Sequence, residues 1–238
     1  VRGGTPDQNQ IILDGMSIYQ VDHFFGFFSA INSNIVKDVQ VYKGGFPAKY
    51  GGRVASIIDI TGKSGSTKLQ KLDLFTNMLS AGITYEQPLS KRSSFILSAR
   101  RSFTDQYQTK LYDNIHDFLT SGSGLNIGAE LQPDTVTYQS EYLPNFYFYD
   151  INGKFTYLPN DRDIVSISFY EGKDYLGEEK NFDFGSEFVG IEQVMVDEKT
   201  QWGNTGMGTN WVRRWSRTTK TKLFMATTKY YSNHDLDS

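Results

Sequence analysis

The sequence predicts a mostly β protein. A small mixed α/β unit occupies residues 1–66, and residues 67–238 form part of a large antiparallel β-barrel that crosses a membrane. Three observations carry this. Strand-length segments alternate apolar and polar residues. They come in pairs joined by very short turns, while long connections separate the pairs, as in barrels of the outer-membrane kind. The third strand carries Tyr at both ends of an apolar centre, as an interfacial aromatic girdle requires.

Composition agrees. The 238 residues include 17 Phe, 15 Tyr and 22 Gly, which favours strands over helices. There is no Cys, which excludes disulfides and thiolate metal sites. The formal net charge of −3 gives no global basic field for nucleic acid. No apolar run reaches the ~18 residues of a membrane helix, but a barrel strand needs only about 9–11 alternating residues. The chain begins at Val1 and ends in "NHDLDS" just after a strand-like run, so both ends read as cut from a longer polypeptide.

In the first unit, "QIILDGMSI" reads as two short strands about an Asp14-Gly15 turn. "SAINSNIVKDVQVY" reads as a helical turn after Ser33 leading into an alternating strand at Val39 and Val41. "YKGGFPAKYGGR" follows. Gly44, Gly45 and Pro47 turn the chain out of that strand, and Gly51 and Gly52 turn it again before "VASIIDITGKSG".

From about residue 69 the strands lengthen. "LQKLDLFTNMLSAGITYEQPL" leads through "SKRS" into "SFILSARRSF". "PNFYFYDINGKFTYL" leads through "PNDRD" into "IVSISFYEGKDY". "QWGNTGMGTNWVRRW" leads through "SRTT" into "KTKLFMATTKYYS". This makes about six strands. Long connections follow Thr104 and Leu176. In the second strand Phe95, Leu97, Ala99 and Phe103 share one face, opposite Ser94, Ser98, Arg100 and Ser102. In the third, Tyr147, Tyr149, Ile151, Gly153, Phe155 and Tyr157 oppose Asp150, Asn152, Lys154 and Thr156. Val165, Ile167 and Phe169 continue the apolar face in the fourth. A soluble β-sandwich is the competing reading. The alternation of short and long loops and the double Tyr belt argue against it.

Taken in order, "VRGG", "QIILDGMSI" and "NIVKDVQVYKGGFPAKYGGRVASIIDITGKSG" resemble the plug domain of TonB-dependent outer-membrane receptors. The form "HFFGFFSAINSNIVKDVQVYKGGFPAKYGGR" is similar to the Bacteroidetes type. The resemblance implies the C-terminal part of a plug followed by the first strands of a barrel of ~22 strands. It implies a bacterial outer-membrane location and import of a scarce nutrient such as a glycan, peptide, siderophore or vitamin. Energy would come from TonB, through a segment outside this sequence. The alternative is a non-importing scaffold that reuses the receptor fold within a larger surface, secretion or assembly complex.

No enzyme motif emerges. "TGKSGS" lacks the first P-loop glycine, since position 57 is Ile. There is no Gly-x-Ser-x-Gly elbow, and no carboxylate pair is singled out. His23, His116 and His234 have no ligand spacing, so neither a metal nor a cofactor is expected. The candidate ligand-facing loop is His23, Phe24, Phe25, Phe27 and Phe28, whose rings would stack on a ligand; plug core is the plainer reading. By resemblance, Arg2 and Lys49 are candidate latches from plug to barrel wall, Lys49 standing where Arg is usual. Arg101 lies in the lipid-facing register. It is expected to snorkel at the outer interface, against lipopolysaccharide phosphate. The acidic segment bearing Glu171, Asp174, Glu178, Glu179, Asp183 and Glu187 reads as a solvated surface loop, with a surface lipoprotein lid or a divalent ion as the sharper alternative.

Overall fold

The computed structural model describes residues 8–24, 26–107, 109–120, 137–139, 145–183 and 193–237. The first unit is built on a four-stranded sheet. Strands β1 (Asn9–Leu13) and β2 (Met16–Ile18) form an antiparallel hairpin. The turn between them has positive φ at both Asp14 (50°) and Gly15 (94°), the handedness a two-residue hairpin needs. Two further short strands, β3 (Asp22–His23) and β4 (Phe28–Ser29), pair with each other. A 3-10 turn over Ser33–Ile35 is capped by the Asn32 side chain, which accepts from the Asn34 N–H at 3.0 Å. Strands β5 (Val36–Tyr42) and β6 (Ser56–Gly62) complete the sheet in the order β2-β1-β6-β5, with β1 and β6 parallel. Its apolar face buries Leu13, Met16, Ile18, Ile31, Ile35 and Ile60 together with Tyr170 of the second unit.

The second unit is one antiparallel sheet. Its strands are β7 (Lys71–Thr76), β8 (Ser80–Ser90), β9 (Ser93–Ser102), β11 (Asn145–Asn160), β12 (Asp163–Asp183), β13 (Gln193–Arg214) and β14 (Lys220–Asp237). Each pairs with the next along the chain, as an up-and-down barrel requires. Between β9 and β11 lie a helix, α1 (Lys110–Thr120), and a short strand, β10 (Thr137–Gln139), which pairs with the far end of β12.

Burial follows the expected alternation. On β11 the inward side chains Phe146, Phe148, Asp150, Asn152, Lys154 and Thr156 are buried against the first unit. Outward-facing Leu97, Ile167, Phe169 and Met207 remain exposed, the surface that lipid covers.

Two expectations are corrected. The run expected as one first strand is two, β7 and β8. The Asn77 carboxamide oxygen accepts from the N–H groups of Leu79 (2.9 Å) and Ser80 (2.7 Å) and folds the chain back, so the sheet has seven consecutive strands, not about six. Nor does the acidic segment begin as a loop. β12 runs to Asp183 and pairs continuously with β13, so Glu171, Asp174, Glu178, Glu179 and Asp183 are strand residues; Glu187 lies outside the described residues. At roughly 3.3 Å per residue the 21 residues of β12 extend about 70 Å, against an apolar band about 25 Å tall. Most of the acidic half therefore stands beyond the hydrocarbon. There both faces meet water or protein, and the apolar–polar alternation that marks a membrane strand is lost.

Candidate functional site: the interface between plug and wall

The inner face of the wall holds the first unit by three polar seams. The first is at the β1–β2 turn. Lys154 Nζ donates to Asp14 Oδ1 at 2.9 Å and to the Gly62 carbonyl at 3.0 Å. The Ser168 hydroxyl donates to Asp14 Oδ2 at 3.0 Å, the Gly62 N–H to Asp14 Oδ1 at 3.1 Å, and Asn210 Nδ2 to the Asp14 carbonyl at 3.1 Å. Asp14 and Lys154 are both nearly buried, so each needs the other.

The second seam is one residue. Asn204, 1% exposed, accepts from the N–H groups of Tyr19 and Gln20 through Oδ1 and donates to the Gln20 carbonyl through Nδ2. A side-chain amide here does what a neighbouring strand would do, satisfying backbone that has left its own sheet.

The third seam is a buried charged cluster. His23 Nδ1 lies 2.7 Å from Asp174 Oδ2, and its ring stacks on Phe148 at 4.4 Å and 9°. Asp174 Oδ1 also accepts from the Phe24 N–H at 3.4 Å. Arg100 Nε donates to Asp150 Oδ2 at 2.7 Å, and its Nη2 donates to the Ser29 carbonyl at 2.6 Å. The His23 Nε2 is 3.8 Å from Asp150 and makes no hydrogen bond. Two carboxylates thus share a closed space with one guanidinium, and among the described residues the imidazole is the only other group there able to carry positive charge. Tyr170, Asn32 and Thr156 add bonds to the Ala30 carbonyl, Ser98 and Ser64.

An aromatic cap closes the cluster. Phe24, held at φ 52°, stacks on Tyr112 of α1 at 5.5 Å and meets Phe146 at 4.7 Å. Leu79 and Phe148 complete this core. Burial, reinforced by Asp113 and Glu178, pushes the Tyr112 hydroxyl up. Among the described residues no three His, Asp or Glu side chains converge as metal ligands.

The loop expected to face a ligand is divided. His23 and Phe24 are 1% and 4% exposed and turn into the wall, because the imidazole finds Asp174 and the Phe24 ring finds Tyr112. Phe28 is half-buried on Phe148, whereas Phe27 is 46% exposed. Phe25 and Arg2 lie outside the described residues.

Lys49 is 3.7 Å from Asp59 of its own unit and lies over the Tyr50 ring at 4.3 Å. Tyr50 donates to Asp59, and burial followed by that bond pushes its hydroxyl up. In the glycine turn, Gly44, Gly45 and Gly52 have φ of 76°, 59° and 85°, and the Pro47 carbonyl accepts from the Tyr50 N–H. Gly51 needs no left-handed backbone. Arg101 binds Asp105 through both guanidinium nitrogens (3.1 and 2.6 Å), lies over the Tyr147 ring at 4.8 Å and is half-exposed. Sequence reasoning passed over Asp14, Arg100, Lys154, Asp174 and Asn204. The signal for Arg100 and Lys154 was a charge in mid-strand on the inward face.

A small domain sealed against the inner face of a membrane-spanning antiparallel sheet defines a plugged barrel. In agreement, residues 1–56 match the family model of the TonB-dependent Receptor Plug Domain. A plug of this family places the chain in the bacterial outer membrane. No curated protein matches the chain. Among solved structures, the siderophore receptor PirA from Acinetobacter baumannii is 13% identical with a TM-score of 0.47, covering 99% of this chain and 38% of its own. The outer membrane transporter YddB from Escherichia coli is 10% identical with a TM-score of 0.45, covering 98% and 42%. The ferric enterobactin receptor PfeA from Pseudomonas aeruginosa, in a mutant form, is 11% identical with a TM-score of 0.43, covering 100% and 43%. The chain therefore spans about two fifths of the length of each.

Proposed function

We propose that this chain is the plug and first barrel strands of a TonB-dependent receptor of the Bacteroidetes type that imports a scarce nutrient: a glycan, peptide, siderophore or vitamin. TonB would supply the energy, through a segment outside this sequence. The plug match supports the class. The observation that carries the transport reading is the chemistry of the seams. Between plug and wall the contacts at Asp14, Asn204 and His23 are hydrogen bonds and ion pairs. Each can be exchanged for water at a net cost of about 0.5–1.5 kcal/mol, rising to roughly 1.5–3 for charged partners. Polar seams of this kind hold the plug at rest and can be rehydrated under a sustained pull, which leaves the aromatic contact of Phe24 with Tyr112 and Phe146 as the apolar part to be broken.

Phe27 remains the described ring of its loop that is free to meet a ligand. The test is to extract the whole receptor in detergent, identify the co-purifying small molecule by mass, and measure its uptake in cells with and without TonB. TonB-dependent uptake supports the proposal. A receptor that carries no ligand and supports no uptake is a scaffold instead.

A further inference from the structure

His23 reaches the wall from β3 and is buried there, with each ring nitrogen facing a different carboxylate. Nδ1 lies 2.7 Å from Asp174 Oδ2 on β12, and Nε2 lies 3.8 Å from Asp150 Oδ2 on β11. The second gap is too short for a bridging water. Two hydrogen bonds of about 2.8 Å meeting at a tetrahedral angle hold their ends roughly 4.5 Å apart. Nε2 is left buried without a hydrogen-bond partner among the described residues. A neutral imidazole has one N–H and one lone pair, so either tautomer sets a lone pair against a carboxylate. Only the doubly protonated ring presents an N–H to both.

The surrounding charges point the same way. Asp150 and Asp174 are both fully buried. Arg100 of β9 binds Asp150 and lies over the Phe148 ring, on which His23 stacks. Among the described residues Arg100 and His23 are the only cationic groups that pair with either carboxylate. Asp22 adds negative charge on the Asp174 side, but it is half-buried and accepts from Gln20 Nε2 at 3.3 Å. The other titratable neighbours are the hydroxyls of Tyr170 and Tyr231, which cannot carry positive charge. Tyr112 of α1 meets Phe24 and not the imidazole. Two buried carboxylates against one guanidinium leave an uncompensated negative charge, which is costly in a closed interior. A second proton on His23 cancels it.

We propose that His23 is a proton-operated bolt between plug and wall. Doubly protonated, it fastens the β3–β4 hairpin to Asp174 and Asp150. When one proton passes to water, a lone pair faces a carboxylate and the buried set is left negative. The hairpin then loosens, and with it Phe24, whose N–H shares Asp174. The protonated ring is the form this site favours, so the fastening is present at low pH and is lost as pH rises. Histidine is the side chain that ordinarily changes charge between about pH 5 and 8. The Asp14 seam is made by Lys154, Ser168, Asn210 and backbone, without a histidine, and serves as an internal reference.

The test is hydrogen exchange on the whole detergent-solubilised receptor from about pH 6 to about pH 9, each rate divided by that of an unfolded amide at the same pH. Because it reads the hairpin and not uptake, it can fail while the import reading stands. The Phe27 and Ala30 amides, bonded to the Phe24 and Val21 carbonyls, report the hairpin, and the Asp14 amide, bonded to the Ile60 carbonyl, reports the reference seam. Protection of the hairpin should fall about tenfold as pH rises, the difference between a charged and a neutral hydrogen bond, while Asp14 changes less than about twofold. His23→Asn keeps a donor near the place of Nδ1 with no charge to lose, and should flatten the profile. Asp150→Asn leaves Asp174 balanced by Arg100 and should flatten it too, so either variant decides if the other does not assemble. Wild-type protection that is flat or rises with pH overturns the proposal, as does an equal change at both seams or a wild-type slope kept in a variant.

Discussion

Replacing His23 by Phe tests the buried cluster most sharply, because a six-membered ring can keep the stack on Phe148 while both nitrogens vanish. The Nδ1 contact to Asp174 at 2.7 Å is lost, a bond to a carboxylate worth about 1.5–3 kcal/mol. Among the described residues Asp174 then keeps only the Phe24 N–H at 3.4 Å, while Asp150 retains Arg100. Removing one partner of a buried pair costs about 3–5 kcal/mol, since the other is stranded. The lower end applies because one carboxylate remains paired and the stack survives. About 3 kcal/mol corresponds to a more than hundredfold rise in local opening. The assay is hydrogen exchange on the detergent-solubilised receptor, read at the Ala30 amide, which donates to the Val21 carbonyl, and at Phe27, which donates to Phe24. Adding Asp174→Leu removes the stranded carboxylate and should recover at least half the loss, a coupling that a double-mutant cycle isolates. Exchange within twofold of wild type in His23→Phe, or no recovery in the double variant, would refute the reasoning.

Asp14→Ala should destabilise the plug by about 3–5 kcal/mol. It strands Lys154 and puts Ala at φ 50°, whereas Asp14→Asn keeps the backbone preference and should cost less; limited proteolysis at the β1–β2 turn checks both. Asn204→Ala leaves the Tyr19 and Gln20 backbone without three bonds and should cost about 2–4 kcal/mol, seen as faster exchange of those two amides. Gly65→Ala would bring a Cβ to 2.3 Å from the Phe95 carbonyl, a backbone atom that cannot yield. A loss of about 1–3 kcal/mol is expected in the thermal unfolding of the receptor. Arg101→Ala, which removes a half-exposed pair with Asp105, should change stability by no more than about 1 kcal/mol in the same measurement.

The fold was legible where one face of a strand meets lipid and the other a polar interior. That contrast wrote the alternation of Phe95 to Phe103 and of Tyr147 to Tyr157 into the sequence. It faded where the environment became symmetric. The distal half of β12 carries charges on both faces, so its acidic residues read as a loop. The β7–β8 break was hidden because Asn77 makes the turn through its side chain, without the Gly or Pro that marks a turn by composition. The seams were only half legible. Lys154, Asp150 and Arg100 are charges in the inward register of their strands, a signal that was present but unused, and their pairing is not local: Asp14 lies 140 residues from Lys154 and Arg100 lies 50 from Asp150. Periodicity reports which face a residue is on, and says nothing of what it meets there. His23 and Phe24 were noticed for their aromatic company, and their burial follows from Asp174 and Tyr112, which only the folded chain brings near.

On the import reading proposed above, the plug must leave these seams for transport to occur. Asn32→Cys with Ser98→Cys places a thiol pair between plug and wall, at positions whose side chains now hydrogen-bond at 3.0 Å, in a receptor freed of any other cysteine and with closure of the pair on oxidation verified first. Uptake of the co-purifying nutrient by whole cells should fall to background when the pair is oxidised and return on reduction, with either single variant unaffected. Full uptake through a receptor shown to be completely cross-linked would contradict the account.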